Sequence, residues 1–272
     1  MTTDRVQLST RLQQRRRSRG LRFAGMLFCV CTFGTVAAEL PTPLIQLPFD
    51  SDLKGSAASA VKLKPSRIGE VRLTDGLVNS GVEVGEGGME YTFAEPLRLP
   101  TGSVLLWFCP CGWDDVSYIE LLMAYKTAGR SRQPALRLYV VPHHWRGLMA
   151  LRYLTDTQRI SVYANRVYVE HWRRQKEHWH QAVFTWDQSQ GTLYVDGLEV
   201  DADPDIGREM DGWKLLRVGG KNVRYPEGGG RVRTKIKTVL DEVRIYDQLL
   251  TPEQVRQDYE SHMGPLVDTD DF

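Results

Sequence analysis

From Leu44 onward the hydrophobic positions fall into short β-like runs broken by Gly, Pro, Asn and Asp. The runs cover residues 44–49, 88–93, 103–109, 117–124, 135–141, 147–153, 159–163, 180–186, 192–195, 214–218 and 238–246. So many strands beside a single helical pattern predict an all-β sandwich. In 180–186 the set Ala182, Phe184 and Trp186 alternates with Gln181, Val183 and Thr185, which predicts one core face and one half-polar face. Trp107, Phe184 and Trp186 are expected inside, between two facing layers. After 192–195 comes Asp196-Gly197, a dipeptide that tolerates positive φ at both positions of a tight hairpin.

The one helix is announced by Thr251 as N-cap, Pro252 at the first position and Gln254 at N3, a capping box, followed by Val255 and Tyr259 on one face. Irregular segments are expected at 165–177, 201–212 and 228–230, and loops of that size are where a sandwich usually keeps its function. Asp268 to Asp271 form an acidic tail.

Charge changes the picture at the N-terminus. Residues 1–38 hold seven arginines against the single acid Asp4, so the remainder carries 28 bases and 33 acids. A mildly acidic domain lacks the footprint that neutralises phosphates, so nucleic acid and anionic membrane are not its main partners. The arginines precede an apolar run, 23–37, and a small-residue cleavage pattern ending at Ala38. Residues 1–38 are therefore read as a signal peptide, with an uncleaved anchor as the alternative and a membrane association only in that case. Residues 39–262 form the domain, 263–272 the tail, and the destination is secreted, periplasmic or cell-surface.

The ordered segments 178–187, 191–197, 216–220, 240–246 and 249–255, with the core-like strand 103–108 upstream, resemble the LamG-like concanavalin A lectin/glucanase superfamily. The resemblance runs over residues 80–260 and implies a jelly-roll sandwich of two antiparallel sheets, one concave, with one short C-terminal helix. That superfamily hosts lectins, glycosidases and plain adhesion domains, so fold alone does not choose the activity.

Chemistry narrows the choice. A retaining glycosidase of this type needs carboxyls about 5 Å apart, supplied in laminarinase-like members by E-x-D-x-x-E. Glu199 to Asp205 offers only an imitation, because Pro204 replaces the third acid and the segment is read as an acidic loop. An enzyme is therefore not expected; a glycosidase or lyase using Glu170 and Glu177 is the outlying alternative. The resemblance implies a structural calcium ion held by Asp50, Asp52 and Asp241. His178 and His180, with His171 and Glu170, are too loosely connected to read as zinc ligands. For sugar recognition, His143, His144, Trp145, Arg146, Tyr168, Trp172, Arg173 and Trp213 supply flat rings and hydrogen-bonding forks. The expected function is an extracytoplasmic carbohydrate-binding or adhesion module, its partner a polysaccharide or glycoconjugate or else a surface protein; the alternative is a structural protein-interaction domain. Cys109-Pro110-Cys111 permits either two apolar fillers or a strained, redox-labile bridge.

Overall fold

In the computed structural model the described residues are 39–58, 61–113, 117–127, 134–140, 149–154, 159–163, 177–204, 212–220, 222–224, 232–233 and 236–266. Residues 1–38 and 267–272 lie outside them.

Eighteen strands and one helix are assigned among these residues. In chain order they are β1 (Ile45–Leu47), β2 (Ser56–Ala57), β3 (Leu63–Ile68), β4 (Arg72–Asp75), β5 (Ser80–Val84), β6 (Gly88–Leu97), β7 (Gly102–Cys111), β8 (Ser117–Tyr125) and β9 (Pro134–Val140). They continue with β10 (Met149–Leu154), β11 (Arg159–Tyr163), β12 (His180–Trp186), β13 (Gly191–Val195), β14 (Leu198–Asp203), β15 (Trp213–Gly219), β16 (Val223–Arg224), β17 (Val232–Arg233) and β18 (Lys237–Tyr246). The helix, α1, spans Pro252–Met263. The two sheets are antiparallel. Sheet A runs β14-β13-β12-β7-β18-β1-β2, with β5 pairing β18 and β4 pairing β5; sheet B runs β11-β10-β9-β8-β15-β6-β3. Each of the eleven runs read from the sequence falls on one of these strands.

The core between the sheets is built from inward-facing positions of both, among them Leu106, Phe108, Phe184, Trp186, Leu136, Leu138, Tyr91 and Leu216. Trp186 sits at its centre, stacked on Phe184 at 5.7 Å and tilted against Trp213 at 5.6 Å. Its indole N–H donates to the Leu99 carbonyl at 2.8 Å. Gly102 admits this ring, because a Cβ there would stand 2.6 Å from Trp186 Cζ2.

Two expectations change. Every residue of β12 is buried, so its half-polar face, Gln181, Val183 and Thr185, is covered rather than open to water. The reason is α1, which lies over the outer face of sheet A: Val255 and Tyr259 join Leu105, Trp107, Val183, Tyr194 and Tyr246 in a second apolar cluster. Trp107 is accordingly fully buried, but under the helix rather than between the sheets. The helix itself starts as its sequence dictates. Gln254 N–H donates to Thr251 Oγ1 at 3.2 Å and Thr251 N–H to Gln254 Oε1 at 2.9 Å, and burying Val255 contributes about 2 kcal/mol.

The second change concerns strands that periodicity did not reveal. β2, β3, β4 and β5 arise within 53–87, and β14 covers Glu199 to Asp203, which had been read as loop. β14 is the edge of sheet A and largely exposed, so Glu199 and Asp201 stand away from any central sheet position. The hairpin before it forms as read, with Asp196 at φ 50° and Gly197 at φ 79°.

Candidate functional site

The outer face of sheet B carries a group of charged and aromatic side chains that no apolar pattern predicts. A β-bulge between Glu120 and Leu122 in β8 turns both Leu121 and Leu122 toward the core. It returns Met123 and Tyr125 to the side that Tyr118 and Glu120 already occupy. Register then fixes the neighbours: Glu90 of β6 stands opposite Arg217 of β15, Arg217 opposite Met123, and Met123 opposite Arg137 of β9. One row across the sheet therefore reads Glu90, Arg217, Met123, Arg137, and the adjoining row places Glu120 opposite Tyr139.

Contacts bind the rows together. The Arg137 guanidinium donates to the Tyr118 hydroxyl at 2.5 Å and to Glu120 Oε1 at 3.3 Å. Its carbon lies 5.9 Å from the Tyr118 ring centroid and 5.2 Å from that of Tyr139, and the two rings are 4.9 Å apart. Arg217 donates to Glu90 Oε1 through Nε at 3.0 Å and through Nη2 at 2.5 Å, and lies 5.7 Å from the Tyr125 ring. Burial works against the charge of Arg137, but Tyr118 and Glu120 raise its pKa above the ordinary value. Glu90, Glu120, Tyr118, Tyr125, Tyr139 and Arg217 are buried, while the Arg137 side chain stays 22% exposed.

Taking ionic pairs out of water is costly, and apolar residues of similar volume would cost less. This network, on a sheet face outside the main core, is the candidate site. The most exposed group of the set is the Arg137 guanidinium, a planar donor braced by the buried acids and rings around it.

Most sugar-contact candidates read from the sequence, His143, His144, Trp145, Arg146, Tyr168, Trp172 and Arg173, lie outside the described residues. The strand ends that flank their segments are described. Val140 pairs with Met149 and with Ile119, and Tyr163 pairs with Ala150, itself the partner of Tyr139. Val140, Met149 and Tyr163 thus lie at the end of sheet B where Tyr118, Glu120 and Tyr139 sit. Trp213 differs: it opens β15, is fully buried and packs on Trp186, so its ring belongs to the core and not to a contact surface.

Two of the three acids assigned to calcium, Asp50 and Asp241, meet at one loop, the connection between β4 and β5, whereas Asp52 bonds to Lys54 in its own turn. Asp241 is wholly buried; its Oδ2 accepts the N–H groups of Leu77 at 2.8 Å and Val78 at 3.0 Å, and its Oδ1 that of Glu242 at 2.8 Å. Burial pushes its carboxyl up to about 7 despite these bonds. Asp50 accepts from Asn79 Nδ2 at 3.1 Å, and Asp52 accepts the Lys54 N–H at 2.7 Å. The N–H donors turn their positive ends to the Asp241 carboxylate and so occupy the place a cation would take, and among the described residues no three His, Cys, Asp or Glu side chains converge. These residues do not fit a calcium cage; Asp50 and Asp241 grip the loop from two sides instead. His180 likewise has a structural partner, with Nδ1 3.0 Å from Asp196 Oδ2.

The signal that could have exposed the site was weak: Glu90, Tyr118, Glu120, Arg137 and Arg217 each occupy the outward position of an alternating strand. Only the pairing of four strands far apart in sequence brings them together.

Comparison with known proteins agrees with this architecture. The family described as the concanavalin A-like lectin/glucanases superfamily matches residues 149–256, from the start of β10 into α1. The binding domain of Paraclostridial Mosquitocidal Protein 1 is similar in fold, with a TM-score of 0.61 and 13% identity over 82% of this chain and 55% of that one. The binding domain of botulinum neurotoxin DC in complex with SialylT has a TM-score of 0.59 at 11% identity, over 81% and 51%. The same domain in complex with rat synaptotagmin II gives 0.58 at 9%, over 81% and 52%. The chain spans about half the length of these solved structures. No match was found among curated proteins.

Proposed function

With a lectin/glucanase type of sandwich as the premise, we propose that this protein is an extracytoplasmic carbohydrate-binding module, with no catalytic activity, that holds a glycan over the outer face of sheet B. The observation that carries the reading is Arg137, set beside the paired rings of Tyr118 and Tyr139 and braced by Glu120. A sugar presents hydroxyls at its rim and C–H faces above and below, and planar guanidinium forks beside flat rings complement both. Glu90 and Glu120 serve here as braces for Arg217 and Arg137, a role that fits binding better than bond cleavage. The charges of the described group balance, two acids against two arginines, which favours a ligand recognised through hydroxyls.

Trp172 and Arg173, with His143 to Arg146, are the further sugar-contact candidates that the sequence supplies. The Arg-rich and apolar pattern of residues 1–38 supports export. Two fold neighbours were solved with SialylT and with rat synaptotagmin II, so glycan and protein partners both suit the sandwich.

A glycan array probed with the wild type, Arg137→Lys and Trp172→Ala tests the reading. The wild type is expected to bind a defined set of polysaccharides and both variants to bind less at unchanged melting temperature. An array with no wild-type signal, alongside a stable complex in pull-downs, would replace glycan by a surface protein.

A further inference from the structure

Cys109 and Cys111 take no part in the glycan-binding proposal, and their surroundings differ from those of ordinary buried thiols. Both are free; Cys109 is buried and Cys111 half-buried. Two residues apart on β7, they project to the same side of sheet A. The Cys111 thiol donates to the Cys109 carbonyl at 3.7 Å, and the two thiols shift each other's titration in opposite directions.

The backbone around them is built to bend. Positions two apart in a strand have Cα atoms about 6.6 Å from one another. Disulfides accept about 4.4–6.8 Å between Cα atoms but need Cβ atoms about 3.5–4.5 Å apart, so closure requires the strand end to curl and leaves a strained bridge. Cys111 is the last residue of β7. Pro110 stands between the pair, opposite Thr238 of β18, and gives no N–H to the ladder there. Gly112 follows at φ 75°, with nothing within 4 Å of the place a Cβ would take. Curling gives up the pairing of Cys111 with Lys237 at the strand's last position, and the next anchor is Trp113, stacked on Phe108 and bonded to Thr238 Oγ1.

The geometry points to Cys109 and Cys111 as a dithiol site that reacts with low-molecular-weight disulfides and closes to an intrachain disulfide. The half-buried Cys111 attacks as thiolate. It displaces one thiolate from the small disulfide, which takes up the Cys111 proton, and a mixed disulfide forms on Cys111. Cys109, deprotonated in turn, attacks the Cys111 sulfur and expels the second small thiol with that proton. One S–S bond and two S–H bonds break, one S–S and two S–H form, and the small disulfide is the two-electron oxidant. Chemistry supports this division of labour. The hydrogen bond from Cys109 brings the Cys111 thiol down to about 7, whereas its bond to Cys111, followed by burial, raises that of Cys109.

Glutathione disulfide is the probe. The reduced full chain is incubated with it, alkylated and digested, and the tryptic peptide 99–126 is weighed. Loss of two hydrogens and of both alkylation sites is expected in the wild type, and persistent glutathione on Cys111 in Cys109→Ser. Cys111→Ser should leave Cys109 unreacted, and the rate of Cys111 alkylation should rise with a midpoint near about 7. Two alkylated cysteines after treatment, or glutathione stable on the wild type, would overturn the proposal. Because the wild-type peptide decides alone, poor folding of either variant leaves the test intact.

Discussion

Trp107 donates its indole N–H to Asp258 of α1 across 3.2 Å, tying the helix to the outer face of sheet A. The same carboxylate accepts from Gln181 Nε2 at 2.9 Å and from Arg244 Nη1 at 2.9 Å. Tyr259 stacks on the Trp107 ring at 5.8 Å, and Arg244 is held from its other side by Glu242. One buried acid thus satisfies three donors from three strands, and the helix covers a sheet face that would otherwise be wet.

Removing that acid leaves the Trp107 indole N–H without its acceptor and takes one partner each from Arg244 and Gln181 in a dry place. Asp258→Ala should lose about 3 kcal/mol or more of unfolding free energy. Urea denaturation followed by tryptophan fluorescence measures it, and a loss below about 1 kcal/mol would mean that apolar packing alone holds the helix.

Asp241 makes stability depend on pH. Its carboxyl is raised from 3.8 to about 7, chiefly by desolvation, so between these values the folded chain holds a proton that the unfolded chain releases. The contribution is fullest at low pH and is lost as pH climbs through about 7. Urea midpoints at pH 5 and pH 8 should show a decline in the wild type that is absent in Asp241→Asn. Parallel profiles for the two proteins would contradict this.

The three amide N–H groups on Asp241 also bear on metal. Calcium and chelator should leave the melting temperature of the purified protein unchanged, because the carboxylate already holds its loop through hydrogen bonds. A clear rise with calcium, reversed by chelation, would show that an ion displaces those donors.

Strands covered on one or both faces were legible, because period-two alternation and runs of Val, Leu and Trp survive in single segments such as 103–109 and 180–186. The capping box around Thr251 and the Asp196-Gly197 turn were equally plain, each being fixed by two or three adjacent residues. The strands within 63–84 escaped notice: β3 and β4 are half-exposed and polar, carrying Lys64, Arg67 and Arg72, with Pro65 inside β3. Trp107 was placed on the wrong side of its sheet because a helix 145 residues later supplies the cover, which no local pattern records. The cluster around Arg137 stayed hidden for the same reason, since each member looks like an ordinary outward residue until β6, β15, β8 and β9 align.

Equilibrium titration of an array-positive glycan against the wild type and Arg137→Lys, with melting curves in parallel, tests the binding floor directly. Lysine keeps the charge but loses the planar fork and the stacking on Tyr118 and Tyr139. Saturable wild-type binding and affinity about ten-fold lower or worse in the variant, at equal melting temperature, is the predicted result. Equal affinity of the two proteins would place the sugar elsewhere and contradict the account.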